Sequence, residues 1–110
     1  MIYVTVKTEE SGRILSFEMT GHADFAESGK DLVCAGASAV SFGAVNAIEA
    51  LTGVIPQVDL GGGDGYLHVE LPMIDDVKKD EQIQLIVRSM IVSLQTIEMD
   101  YSEFIDIIIE

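Results

Sequence analysis

Apolar and polar residues alternate along the first part of the chain. Residues 2–7, Ile-Tyr-Val-Thr-Val-Lys, are rich in β-branched and aromatic side chains, which predicts a strand. Residues 13–19 show the same pattern, and the Glu-Glu-Ser-Gly sequence at 9–12 is a turn signal between them. We therefore expect a β-hairpin whose second strand leads directly into Gly21 and His22.

A long stretch of small and apolar residues follows. Residues 35–51 are mainly Ala, Gly, Ser and Val and carry almost no charge, which predicts a buried helix with Gly53 as its C-cap. Residues 54–60 and 66–71 then predict two strands. The glycine-rich segment 61–65 joins them. We interpret it as a hairpin turn rather than a phosphate-binding loop, because it holds no lysine and no helix follows it.

The last third of the chain predicts a second helix and a final strand. Apolar residues recur at helical spacing within residues 81–100 and form one stripe. Leu85, Ile91 and Val92 fall off this stripe, which indicates a second buried surface and favours a homodimer. Residues 104–110 are apolar enough to predict a strand that the sheet or a partner chain must cover.

These elements follow one another in the order β-β-α-β-β-α-β. That order predicts an α+β fold, a two-layer sandwich in which a mostly antiparallel sheet packs on two main helices. The 110 residues fit one domain with one core, spanning residues 1–110.

The net charge of the chain indicates which kinds of binding partner to expect. The chain holds 6 basic and 19 acidic residues, for a formal net charge of −13. Nucleic-acid phosphates and anionic membranes repel such a chain, so we expect neither as a direct partner. A basic polypeptide would be attracted to it. Acidity that only keeps the domain soluble explains the same numbers equally well.

The sequence also favours a cytoplasmic location. No apolar run reaches the length that spans a bilayer, and the N-terminal residues lack a basic segment followed by an apolar one. We therefore expect neither a membrane span nor a secretory signal. The single cysteine, Cys34, cannot form an internal disulfide, which suits a reducing compartment.

The candidate chemistry lies between the predicted hairpin and the first helix. His22 is expected at the end of a strand and Cys34 at the start of a helix, a workable layout for a thiol nucleophile and its base. The partial positive charge of a helix N-terminus favours a thiolate there. The backbone N–H groups of Cys34, Ala35 and Gly36 are candidates to hold an oxyanion. A lone cysteine is most often a small buried hydrophobe, so the spacing alone leaves that interpretation open.

Several nearby residues are candidates to support this pair. Asp31 and Asp24 are carboxylates able to orient the imidazole, and we prefer Asp31 because it lies next to the turn that carries the cysteine. Ser38 lies one helical turn after Cys34, where its hydroxyl can hydrogen-bond within the site. Residues 23–30 show no long apolar periodicity, and we expect them to form an exposed and mobile loop.

We expect no metal and no cofactor. Two histidines and one cysteine are too few for a structural zinc site, and the cysteine count excludes a Cys-x-x-Cys redox site. His68 falls in the middle of a predicted strand, so we interpret it as structural.

The central stretch resembles a known family. Gly21-His22-Ala23, followed by residues 29–40 with the sequence Gly-Lys-Asp-Leu-Val-Cys-Ala-Gly-Ala-Ser-Ala-Val, is similar to the motif of the ribosomal-processing cysteine proteases, the Prp or YsxB-like family. The similarity extends over the whole chain, including residues 42–47 and 92–98. The resemblance implies a catalytic dyad of His22 and Cys34, and we add Gly21, Asp31 and Ser38 as supporting site residues.

The same resemblance implies a substrate. Family members remove a short N-terminal extension from large-subunit ribosomal protein twenty-seven, cutting after paired aromatic residues. It further implies a small cytoplasmic homodimer without a cofactor, with residues 21–33 as a mobile segment over the site. An apolar pocket beside that segment would then accept the aromatic side chain. From another class, a non-catalytic acidic protein that caps a basic ribosomal protein fits the same composition.

Overall fold

The computed structural model describes residues 1–22, 31–63 and 65–110. Over these residues the chain forms five strands and two helices, in the predicted order. The elements are β1 Ile2–Thr8, β2 Ile14–Gly21, α1 Leu32–Thr52, β3 Gln57–Asp59, β4 Tyr66–Glu70, α2 Val77–Tyr101 and β5 Ile105–Ile109. The predicted α+β class is confirmed.

The strands form one sheet with the spatial order β3-β4-β2-β1-β5. β2 pairs antiparallel with β1 and with β4, and β3 pairs antiparallel with β4. β5 instead runs parallel to β1 at the far edge. The sheet is therefore mostly antiparallel, as predicted. The parallel pair forms because the long helix α2 carries the chain back across the sheet before β5 begins.

The core lies between one face of the sheet and the two helices. Alternate residues of β1, namely Ile2, Val4 and Val6, are buried, and Val6 lies opposite the buried Phe17 of β2. Side chains of both helices complete the same apolar cluster. The other face of the sheet carries polar and partly exposed side chains, such as Tyr3, which is 47% exposed. The fold thus has the two layers that the element order predicts.

Helix α1 begins earlier than predicted. It starts at Leu32 rather than at Ala35, because the side chain of Asp31 caps the first turn. It ends at Thr52, and Gly53 adopts the left-handed conformation of a C-cap, with φ of 76°, as predicted.

The composition of α1 resembles that of a membrane helix. By length and composition alone it could cross a bilayer, with a hydropathy of 1.4, although no span is expected from the sequence. Within the fold, however, Val33, Ala37 and Ile48 are buried in the core cluster, and α1 packs along α2. We therefore interpret α1 as the core helix of the helical layer.

Helix α2 also begins before its predicted start. It runs from Val77, since Asp76 accepts a hydrogen bond from the Lys79 N–H at 3.0 Å and caps the helix. The prediction that residues 73–80 are only a polar connection is therefore wrong for the last four of them. Of the three apolar residues off the predicted stripe, Ile91 joins the core, whereas Leu85 and Val92 are 69% and 61% exposed.

A polar network lies on the open face of the sheet and ties β2 to β4. The Glu18 carboxylate accepts a hydrogen bond from the Tyr66 hydroxyl at 2.8 Å and lies 3.2 Å from His68 Nδ1. The other ring nitrogen, Nε2, lies 2.8 Å from Glu70 Oε1. Asp59 on β3 is the register partner of His68. The structure thus gives His68 a cross-strand ionic role, in keeping with its interpretation as structural.

This network predicts a pH-dependent stability. The hydrogen bond to Glu70 raises the pKa of His68 above its ordinary value of 6.5; burial opposes this shift, and the bond to Glu18 adds to it. Because the folded pKa exceeds the unfolded one, the stabilisation is complete below about pH 6.5 and is lost as pH rises through the folded pKa. We expect the free energy of unfolding of the wild type, measured in urea, to lose its advantage over His68→Gln as pH rises.

Both proteins in that comparison contain the other histidine, His22, so its contribution cancels in the difference. A difference between wild type and His68→Gln that stays constant from about pH 5.5 to about pH 8.5 would contradict a stabilising role for charged His68.

Candidate active site

Strand β2 brings His22 to one end of the sheet. The exposed His22 directly follows the strand, and its carbonyl oxygen accepts a hydrogen bond from the Met1 amine at 2.6 Å. Before it, the Gly21 N–H donates to the Gly65 carbonyl at 2.8 Å. Gly21 has φ of 90°, and a Cβ there would collide with the Met1 carbonyl oxygen. Gly21 therefore serves this end of the sheet through its backbone.

Helix α1 holds Cys34 in its first turn. Cys34 is a free thiol, half-buried, and packs at the margin of the core cluster. Its N–H donates to Asp31 Oδ1 at 3.0 Å, and the Ala35 N–H donates to the Asp31 carbonyl at 3.0 Å. One aspartate thus organises the helix terminus that carries the sulfur.

This geometry changes the predicted chemistry at the helix terminus. Cys34 does not precede the helix but is its third residue, still within the turn where the helix dipole favours negative charge. The N–H groups of Cys34 and Ala35, predicted as oxyanion donors, are already bonded to Asp31. An oxyanion at either position would have to displace one of these bonds.

The supporting residues fall into two groups. In the structure the Asp31 carboxylate accepts a hydrogen bond from the Cys34 backbone N–H, and its predicted role in orienting His22 stays a prediction. Ser38 is half-buried and follows Cys34 by four residues, which places both on the same side of α1. Asp24 and the predicted mobile loop at 23–30 lie outside the residues that the structure describes, so their roles stay predictions.

The two members of the predicted dyad lie on separate elements. Within the part of the chain that the structure describes, the His22 ring makes no hydrogen bond to Cys34 or to Asp31. The neighbour of the ring is Gly65, just before β4. The sequence alone does not predict this contact, because no pattern in the glycine-rich segment indicates proximity to a residue 43 positions earlier.

A large cleft lies away from these residues. It has a volume of about 1020 Å³ and is lined by Thr8, Arg13, Asp80 and Leu85, among others. Thr8 and Ile14 pair at one end of the β1–β2 ladder, whereas Ile2 and Gly21 pair at the other. The cleft is therefore at the opposite end of the sheet from His22. The predicted pocket for an aromatic side chain beside residues 23–30 stays a prediction.

The candidate site contains few groups of the kind that bind metals. Among residues 1–22, 31–63 and 65–110, no group of three or more His, Cys, Asp or Glu side chains could hold a metal ion. The candidate groups for chemistry among these residues are the Cys34 thiol, the His22 imidazole and the Asp31 carboxylate.

The cap at Asp31 makes a testable prediction. We expect Asp31→Ala to lower the free energy of unfolding by about 1 kcal/mol, because the Cys34 N–H loses its acceptor, and Asp31→Asn to cost much less, since Asn caps nearly as well. Asp76→Ala removes an equivalent cap from α2 and is the matched control for stability. Urea unfolding that finds Asp31→Ala as stable as the wild type would rule out the cap.

Comparison with known proteins gives a consistent result. The sequence model of the family described as "Cysteine protease Prp" matches residues 1–106. The ribosomal processing cysteine protease Prp of Bacillus subtilis is 52% identical over 103 residues, covering 94% of this chain and 92% of the relative. The protein of the same name from Staphylococcus aureus is 46% identical over 103 residues, covering 94% and 93%.

Solved structures agree with the sequence relatives. The crystal structure of an essential ribosomal processing protease Prp from S. aureus, in complex with a covalently linked product peptide, superposes with a TM-score of 0.91 at 41% identity, covering all of both chains. The same protein with a substrate peptide gives a TM-score of 0.84, with the same identity and coverage. With this fold and this cysteine-bearing helix terminus, the chain belongs to the Prp family of cysteine proteases.

Proposed function

We propose that this protein is a ribosomal-processing cysteine endopeptidase, and that residues 1–110 form its single protease domain. Its substrate is the precursor of large-subunit ribosomal protein twenty-seven, from which it removes the N-terminal extension. The observation that carries the proposal is the chain's only cysteine in the first turn of α1, in a sequence that matches the protease family over residues 1–106.

The first half of the reaction is acylation. The thiolate of Cys34 attacks the scissile carbonyl carbon and forms a C–S bond, with the negative charge moving onto the carbonyl oxygen. His22, as imidazolium, then gives its proton to the leaving amine as the C–N bond breaks. The product is a thioester on Cys34. The relative with a covalently linked product peptide supports a covalent route of this kind.

The second half is deacylation. His22, now neutral, takes a proton from water while the water oxygen attacks the thioester carbonyl. The C–S bond breaks, the peptide leaves as a carboxylate, and the Cys34 thiolate and the His22 imidazolium are restored. Since the His22 ring and the sulfur are not hydrogen-bonded in the described structure, substrate binding must bring them together, and ordering of residues 21–33 over the site would exclude water at the same time.

Charge supports the proposed substrate. The net charge of −13 favours association with a basic polypeptide, and ribosomal protein precursors are of that class. We place the reaction in the cytoplasm, where the single cysteine stays reduced.

The dyad is tested by peptide cleavage. We expect wild-type protein to cut a synthetic peptide spanning the extension and the first residues of the mature protein, at one position identified by mass spectrometry. Cys34→Ala and His22→Ala should each lower kcat/KM by more than about 1000-fold, because each removes a group that takes part in bond making.

His68→Gln is the matched control for His22→Ala, since it changes the other histidine without touching the site. Cleavage that survives in Cys34→Ala would exclude the proposed enzyme. Tight binding of the peptide by wild type without any cleavage would instead support a non-catalytic protein that caps a basic ribosomal protein.

We also propose that the protein is a homodimer that uses the outer surface of the helical layer. The exposed side chains of Leu85 and Val92 lie on α2, and Phe42 on α1 is 40% exposed. A groove of about 470 Å³ runs between the two helices, and Leu85 and Gly43 are part of its lining. A second copy would remove this apolar surface from water.

The dimer is tested by sedimentation velocity. We expect wild type to sediment as a dimer and Val92→Glu to shift it toward the monomer, because the substitution buries a charge in the proposed interface. Ile55→Glu is the control, since Ile55 is 72% exposed and follows α1 outside the helical layer. Equal sedimentation of all three proteins would exclude this surface.

A further inference from the structure

The His22 imidazole lies directly against the backbone of Gly65. A Cβ atom built on Gly65 would lie 2.9 Å from His22 Nε2, 3.2 Å from Cδ2 and 3.1 Å from the Gly21 carbonyl oxygen. Real Cβ atoms essentially never approach a neighbour within 3.0 Å. A side chain at residue 65 would therefore force the exposed His22 ring to shift from its present position.

The backbone of Gly65 is connected to the strand that carries His22. Its carbonyl accepts the Gly21 N–H at 2.8 Å, and the next residue, Tyr66, pairs with Thr20 in the β2–β4 ladder. Gly65 also has φ of 74°, a conformation that L side chains rarely adopt. The surface under the imidazole thus has a fixed position relative to β2.

Gly61, at the start of the glycine-rich segment, also lies close to a residue of the same strand pair. A Cβ on Gly61 would lie 2.6 Å from the Tyr66 ring, so the segment turns closely around that ring. The Tyr66 hydroxyl in turn donates to Glu18 of β2 at 2.8 Å. Gly65, in a segment that the sequence predicts to be a hairpin turn, therefore lies next to both His22 and the β2–β4 ladder.

We propose that Gly65 is a positioning residue for His22, whose bare backbone forms the surface on which the imidazole rests. This proposal depends on the catalytic role of His22 given under Proposed function. The surface limits the places available to the ring before substrate arrives, so less ordering of the ring is needed to form the pair with Cys34.

The chain supplies a matched control for backbone strain. Gly62 lies in the same segment and has φ of 76°, but nothing lies within 4 Å of the place its Cβ would occupy. Gly62→Ala therefore strains the backbone without touching His22, whereas Gly65→Ala does both. Gly65→Asn adds a third comparison, because Asn tolerates positive φ yet still places a Cβ beside the ring.

The first measurement needs no substrate. In NMR spectra of the wild type we expect nuclear Overhauser contacts between the Gly65 Hα atoms and the imidazole protons of His22. In Gly65→Ala and Gly65→Asn the ring resonances of His22 should shift, whereas in Gly62→Ala they should stay as in wild type. Absence of the wild-type contacts would overturn the proposal even if no variant folds.

The second measurement is kinetic. We expect both Gly65 variants to lower kcat for peptide cleavage by about 10- to 100-fold with little change in KM, because a misplaced base costs rate rather than peptide binding. Gly62→Ala should keep wild-type kcat with a similar loss in urea midpoint to Gly65→Ala. Equal kcat in all three glycine variants would refute positioning by Gly65.

The two proposals fail in different ways. If His22→Ala cleaves the peptide as well as wild type does, the catalytic role of His22 is wrong, while the NMR contacts still decide whether Gly65 positions the ring. If His22→Ala is inactive but Gly65→Asn behaves like Gly62→Ala, the dyad stands and the positioning role is refuted.

Discussion

The close approach of three backbone segments around Gly21 is the constraint on which the candidate site depends. On one side the Gly21 N–H bonds to the Gly65 carbonyl, and on the other the Met1 carbonyl lies where a side chain at residue 21 would be. A residue with a Cβ at position 21 would force the start of β1 away from β2. His22 directly follows Gly21, so the close packing of these backbone segments sets its position.

The cysteine depends on a separate element with its own support. The first turn of α1 is capped by Asp31, and Val33 beside Cys34 is buried in the core between the helices and the sheet. The sulfur is thus carried by a packed helix terminus, where the helix dipole favours an anion.

The face of the sheet that does not contact the helices is polar. Glu18, Tyr66, His68 and Glu70 form a polar network on the side that the helices leave uncovered. That network ties β2 to β4 along their length, and the same two strands lead to His22 and Gly65 at their ends. One ladder thus carries the polar network along its length and leads to His22 and Gly65 at its end.

Much of the fold follows from the pattern of apolar and polar residues. Alternation of apolar residues predicted β1 and β2, the apolar stripe predicted α2, and the order of elements predicted the two layers, since periodicity records which face of an element is buried. The motif around His22 and Cys34 also indicated the family, which the match over residues 1–106 confirms. The predicted starts of both helices are too late. Asp31 and Asp76 cap the two helices, and an aspartate before an apolar-periodic run is a local capping signal.

Contacts between segments that are distant in the sequence depend on tertiary packing. The parallel pairing of β5 with β1 and the close approach of His22 to Gly65 do not follow from periodicity. His22 and Gly65 are 43 residues apart, and their contact exists because β2 and β4 are neighbours in the sheet. Periodicity tells which face of a strand is buried but not which strand lies beside it, so contacts of this kind depend on packing of the whole chain.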